Sequence, residues 1–216
     1  WCLILFLFVI DLGAQDSIYN IQKSEFSHNR HDDISTVNYG KGFVFTSNRS
    51  KSLFNKIFRG AFPMFNMFYV DTSNNKSKIK VKLFTEELSS RLNDGPITFN
   101  SNEDTAFFSR NLEIEGKRKS ISGSNNKLGI FSAVKVDNKW KLYEEFDHNS
   151  SWDNLRFNVT TPSLDSERKR IYFASEMPGG YGGFDLYYSD FKNGEWRSPV
   201  NMGEAINTKG DEAYPY

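Results

Sequence analysis

The feature that most restricts the fold of this chain is an internal repeat. Three segments superimpose: Asp33-Ile-Ser-Thr leading to FVFTSNR, Asp94-Gly-Pro-Ile leading to AFFSRN, and Val159-Thr-Thr-Pro leading to IYFASEM. Their central rings, Phe45, Phe108 and Phe173, follow one another at 63 and then 65 residues. A variable segment and a second aromatic run come after each: MFYVD, GIFSAVKVD and FDLYYSD. Two copies then reverse, at Asp137-Asn138 before KWKLYEEF and at Asn193-Gly194 before EWRSPV, and place Trp140 and Trp196 two residues beyond the turn. In the first copy the corresponding stretch is KIKVKLF. Asn-Gly between aromatic-rich runs marks a hairpin, because both turn residues tolerate positive φ.

Each copy therefore predicts three or four antiparallel strands over roughly 55 to 65 residues, long for a propeller blade but allowed when inter-strand loops grow. Aromatic residues make up 16% of the chain, led by 20 Phe and 10 Tyr, and most fall in short alternating runs, which is the composition of strands. One such sheet cannot bury both its faces, so the copies must stack radially. The expected fold is all-β, a partial β-propeller of about three antiparallel-sheet blades over 33–93, 94–157 and 158–216, within a repeat region of 27–216. Three blades are too few to close a ring of the usual four to eight. The chain is accordingly expected to continue beyond Tyr216 and, since it opens on Trp1 rather than Met, to be truncated at both ends.

The opening WCLILFLFVIDLGAQ has ten apolar residues, then Asp11 and the small pair Gly13-Ala14. It is too short to span a bilayer. It fits the apolar and cleavage regions of a secretory signal peptide over 1–14, with a truncated start, followed by a linker over 15–26. The rival reading is a buried first strand of a cytosolic domain. The only cysteine, Cys2, lies in the segment expected to be removed, which leaves the mature chain without disulfides or a thiol nucleophile. With 27 Lys+Arg against 27 Asp+Glu, no net field favours nucleic acid or an anionic membrane.

The stretch SEMPGGYGGFDLYYSD carries Gly179, Gly180, Gly182 and Gly183. A dinucleotide fingerprint would need a further glycine where Asp185 stands, and a Walker loop would need Lys-Ser/Thr. The remaining reading is a wide turn between strands, its glycines supplying positive φ. The other copies lengthen the same corner, as SKSLFNKIFRGAFPMFN and LEIEGKRKSISGSNNK. Loops at equivalent corners of a repeat project from one face, and that face commonly binds. Phe58, Phe62, Phe65, Arg118 and Tyr181 are the candidate contact residues there, with a core role for several of the aromatics as the alternative.

The third copy resembles the TolB-type, WD-like β-propeller repeat of exported envelope proteins that end in an OmpA-like peptidoglycan-binding domain. The resemblance lies in Thr161-Pro162-Ser163, the strand IYFAS, the corner PGGYGGFDLYYS with Asp185, the run Trp196 to Pro199, and the closing MGEAINTKGDEAYPY with Asn207-Thr208 and Asp211-Glu212. It is close over this copy and looser over the earlier two. It implies a non-catalytic, exported module for protein–protein interaction or envelope scaffolding, in the periplasm or at the outer membrane. A protein partner is expected, with peptidoglycan reached only through a domain outside this chain. The alternative is an accessory, substrate-gating propeller of an exported hydrolase related to TolB and the prolyl oligopeptidases.

Chemistry-bearing clusters are few. His28, His31, Asp32 and Asp33 bring imidazole and carboxylate together, which could serve a metal, but no helical pattern presents them on one face. Asp33 and Asp94 occupy one repeat position and are expected to organise a turn through backbone amides. The basic runs GKRK and ERKR are offset by nearby acids, and the pairs Glu103-Asp104 and Glu144-Glu145 point to opposite faces of a strand. No nucleophile elbow, HExxH or Ser-x-x-Lys motif occurs. No catalytic residue, cofactor or metal site is therefore assigned. The sequons at Asn48, Asn75, Asn149 and Asn158 are read as chance in an Asn- and Ser-rich chain.

Overall fold

A computed structural model describes residues 24, 26–27, 30–49, 64–73, 79–112, 127–149 and 157–216. Their regular structure is entirely strand: β1 (Asp33–Tyr39), β2 (Gly42–Ser47), β3 (Asn66–Asp71) and β4 (Val81–Leu83); β5 (Asp94–Phe99), β6 (Thr105–Asn111), β7 (Leu128–Val136) and β8 (Lys139–Glu145); β9 (Val159–Asp165), β10 (Arg170–Ser175), β11 (Asp185–Lys192), β12 (Glu195–Trp196) and β13 (Val200–Asn201). These form three antiparallel sheets in chain order, each a simple meander. In the third, the outermost position is split between β12 and β13, both paired to β11. The signal-peptide expectation over 1–14 lies outside the described residues, as does the linker over 15–26 apart from residues 24 and 26.

Local chemistry sets the meander. The hairpins at Asp137-Asn138 and Asn193-Gly194 have positive φ at both turn residues, the twist that matches flanking strands. Along β2, β6 and β10 the side chains alternate, and the central rings meet an aromatic partner across the ladder: Phe45 opposite Phe68, Phe108 opposite Phe131, Phe173 opposite Tyr187. Phe45, Phe108 and Phe173 are fully buried, each contributing about 1.5–3 kcal/mol of apolar burial.

The sheets stack face to face, with the first strand of each laid on the preceding one. β5 lies against β1, β2 and β3, and β9 against β5, β6 and β7. Phe107 and Phe108 show how one strand serves two interfaces, because adjacent residues point to opposite faces. Phe108 packs backward with Val44 and Met67 of the first sheet, and Phe107 forward with Ile171 and Phe173 of the third. No described strand of the first sheet contacts the third. The three sheets are thus blades of an open arc, a partial β-propeller.

The first strand of each blade carries an irregularity of register. At its third residue φ is positive in two blades, Ser35 at 49° and Thr161 at 51°; in the second, Gly95 takes 99° beside a cis bond to Pro96. Tyr214 repeats the feature at 57°. Glu212 N–H also donates to the Phe184 carbonyl, as Asp94 N–H donates to that of Phe65. From Glu212 the chain therefore has the geometry of a first strand laid on the third blade.

Candidate functional site: the corner and its joint

The corner before each third strand is tied to the residue that opens the following blade. Asn93 Oδ1 accepts from Phe65 N–H at 3.0 Å, Asn158 Oδ1 from Leu128 N–H at 2.9 Å, and Asp211 Oδ1 from Phe184 N–H at 2.8 Å. All three short side chains precede a first strand and cap the end of a corner that belongs to the blade before.

The glycine corner is built around Asp185. This carboxylate is fully buried and accepts from Tyr181 N–H at 2.6 Å, Gly182 N–H at 3.2 Å and the Asn201 amide at 3.0 Å. The expectation that the glycines supply positive φ holds only for Gly179, at 92°. The others are glycine because of crowding. A Cβ on Gly180 would overlap Asp185 Oδ2, one on Gly182 the carbonyl oxygen of Gly210, and one on Gly183 Asp211 Oδ1. The corner is pressed onto the joint at 207–211, and Tyr181 stands out from it with 49% of its surface exposed.

Asn207 closes the same joint from beneath. It accepts from Leu186 N–H at 2.8 Å and donates to the Leu186 carbonyl at 3.0 Å and to Asn201 Oδ1 at 2.8 Å. Asn149 does the same to Ile130, accepting at 2.8 Å and donating at 2.7 Å. Sequence reading picked out Asn207 and took Asn149 only for a sequon. The available signal was that each Asn lies just beyond the last strand of its blade and is followed by Ser or Thr. Asn149 is 1% exposed, so its sequon is closed in the folded chain.

At the start of the first strands, Asp33 and Asp94 meet arginines. Arg49 reaches Asp33 at 2.7 Å and lies over the Phe45 and Phe68 rings; Arg110 reaches Asp94 at 2.7 Å and lies over Phe108 and Phe131. Asp94 also accepts from Ser90 N–H, whereas the Asp33 carboxylate is engaged by the arginine. Burial pushes the Asp33 carboxyl up, but hydrogen bonds from Ser47 and Arg49, with the guanidinium charge, outweigh it and hold the group below the ordinary range. In the third blade Val159 replaces the acid, Ser175 stands opposite it, and Met177 packs into the apolar core. Acid and arginine disappear together, so no buried charge is left unpaired.

The remaining sequence candidates are dispersed. Pro162 is buried in β9. Trp196 packs between the second and third blades, its ring 5.6 Å from Phe107 and 5.8 Å from Phe146. Phe65 is half-buried, with its backbone engaged on both sides by the joint. Phe58, Phe62, Arg118 and His28 lie outside the described residues, and His31 is half-buried. Among the described residues no group of three His, Cys, Asp or Glu is placed to hold a metal, and no helix is long and apolar enough to cross a membrane. In ERKR, Arg168 pairs with Asp165 at 2.8 Å and Arg170 with Asp190 at 2.6 Å. A groove of about 690 Å³ runs over the forward face of the third blade, past Leu164, Tyr172, Leu186, Met202 and Ile206 to Tyr216.

Stacked antiparallel meanders, each laying its first strand on the one before, define a β-propeller repeat protein. Comparison with known protein families and with curated proteins gives no match. Among solved structures the chain is similar to TolB from Acinetobacter baumannii, at 12% identity and a TM-score of 0.37, over 78% of this chain and 31% of that one. The chain thus spans about a third of the length of that protein.

Proposed function

We propose that this chain is a non-catalytic β-propeller module, exported to the periplasm or outer membrane, that binds a protein partner of the cell envelope through its corner loops. Peptidoglycan is reached, in this reading, only through a domain outside the chain. The observation that carries it is Tyr181: an exposed aromatic on a corner whose backbone is fixed by Asp185 and by the joint at 207–211. Rigid aromatic side chains anchor protein interfaces at low entropic cost. These carboxylates support a structural use of the acidic residues, since Asp33, Asp94 and Asp185 are each committed to an arginine, a backbone amide or an asparagine. The resemblance of the third copy to the repeat of OmpA-ended envelope proteins supports the location and the class of partner.

A photo-crosslinking amino acid at position 181 tests the proposal in cells. A discrete protein adduct in the envelope fraction is expected. A chain recovered in the cytoplasm, or one in the envelope without an adduct, overturns it.

A further inference from the structure

The two inter-blade clefts are filled by different sets of rings, and the repeat makes the difference measurable. Between the first and second blades the space is filled by a cluster of rings. Tyr39 meets Tyr69 at 6.1 Å and Phe99 at 4.6 Å, and Trp140 meets Phe84 at 6.0 Å and Phe99 at 5.8 Å. Trp140 is 4% exposed there. Lys82 Nζ stands over the Tyr69 ring at 5.2 Å.

Strand register identifies the counterparts one blade on. Phe68 and Phe131 hold the same place opposite Phe45 and Phe108, so Ser132 stands where Tyr69 stands. Counting from Asp94 and Val159, Leu164 replaces Phe99, and Trp196 takes the place of Trp140 after its hairpin. By the same register Asn100 stands where Tyr39 stands, and Phe107 and Phe191 stand where Val44 and Lys135 stand, so the second cleft lacks both phenols and the Phe99 phenyl and carries instead two phenyl rings beside Trp196. What remains is a hollow of about 390 Å³ walled by Phe107, Ser132, Tyr143, Leu164, Phe191 and Trp196. Trp196 is only half-buried, and Phe191 and Tyr143 are 38% and 64% exposed. That volume lies in the range of ligand pockets.

Charge at the mouth narrows the occupant. Lys169 lines the cleft, and within ERKR its neighbours Arg168 and Arg170 are paired, whereas Lys169 forms no ion pair with a described residue. Glu144 lines the opposite wall.

We propose that the cleft between the second and third blades binds an aromatic side chain of a partner protein segment, one with a carboxylate beside the ring. The ring would occupy the space that Tyr69 fills between the first two blades, against Trp196 and Phe107, with its neighbouring acid on Lys169. That the ring belongs to a protein rests on the interaction-module reading; the hollow itself does not.

The test follows the indole N–H signals of Trp196 and Trp140 by NMR in the intact chain, with p-cresol and N-acetyl-Asp-Tyr-amide as probes. Both probes are expected to shift Trp196 saturably and to leave Trp140 in place. Ser132→Tyr fills the hollow from within and should weaken both probes at least about tenfold, whereas Ser132→Ala should bind as the parent does. Leu164→Phe restores the missing phenyl ring, and serves if Ser132→Tyr fails to fold. Lys169→Ala should weaken the dipeptide about two- to fivefold and leave p-cresol unchanged, the scale of an exposed ion pair. A Trp196 signal unmoved by either probe, or filling variants that bind like the parent, would refute the site. A dipeptide no tighter than p-cresol would refute the acidic peptide as occupant. Failure of the module reading appears elsewhere, as loss of the crosslink at position 181 with the Trp196 response intact.

Discussion

Two hydroxyls at one repeat position should respond to removal with opposite signs. Thr46 follows Phe45 and Ser109 follows Phe108, and both face the first strand of the next blade. Ser109 Oγ accepts from Thr161 N–H at 2.9 Å and from Thr160 Oγ1 at 3.0 Å. For Thr46 the residue corresponding to Thr161 is Pro96, which has no N–H to give. Its hydroxyl is buried, 1% exposed, without a hydrogen-bond partner, and faces Gly95 so closely that a Cβ there would overlap it. A buried unsatisfied hydroxyl costs about 1–3 kcal/mol, so Thr46→Val, nearly the same shape, should stabilise the chain by about 1 kcal/mol. Ser109→Ala leaves the Thr161 N–H buried and unmatched and should destabilise by about 1–3 kcal/mol. For a chain of this size each kcal/mol is about 2–4 °C of melting temperature. Parallel thermal and urea unfolding of the two variants reads both signs. If both lower stability, or neither moves it, the assignment of partners at this position is wrong.

Two further outcomes follow from the corner and from the first strand. Gly182→Ala places a methyl against the carbonyls of Gly210 and Thr208 and should cost about 1–3 kcal/mol, an overpacking penalty, with faster hydrogen exchange at the Phe184 amide as the local sign that the joint has opened. The Asp33 carboxyl is held below its ordinary value in the folded chain, so its stabilising contribution is present above about pH 4 and is lost as pH falls through the folded value. Asp33→Asn should therefore lower the urea midpoint at neutral pH, with the gap from the parent closing below about pH 4; a gap that is constant with pH would show that the ion pair with Arg49 is not the source.

The strands were legible because each central ring sits in an alternating run of β-branched and aromatic residues, and that pattern needs only local sequence. Turns such as Asn193-Gly194 were legible for the same reason. Functions of the corner glycines were not, because the atoms that crowd Gly182 and Gly183 belong to Thr208, Gly210 and Asp211, far along the chain. The arginine partners were hidden by register. Arg49 lies two residues beyond Ser47, the partner of Asp33, whereas Arg110 is itself the partner of Asp94, so the same role comes from two different repeat positions. Tyr181 was legible as an exposed candidate, but the hollow beside Trp196 was not, since it consists of rings that are absent at Ser132 and Leu164.

The joints bear directly on how such a module would present its loops. In each blade the amide that ends the corner is held by a side chain that opens the following first strand: Phe65 by Asn93, Leu128 by Asn158, Phe184 by Asp211. A corner is therefore positioned by the packing of the next first strand as well as by its own sheet. Any rotation between neighbouring strands at this interface would carry the corner with it. The third corner is further constrained, because Asp185 adds three hydrogen bonds and the glycines allow it to press on 207–211. Tyr181 thus reports the state of the segment from Asn207 to Glu212. A partner that binds this ring makes its contact with a joint, and its affinity would depend on whether that joint is closed.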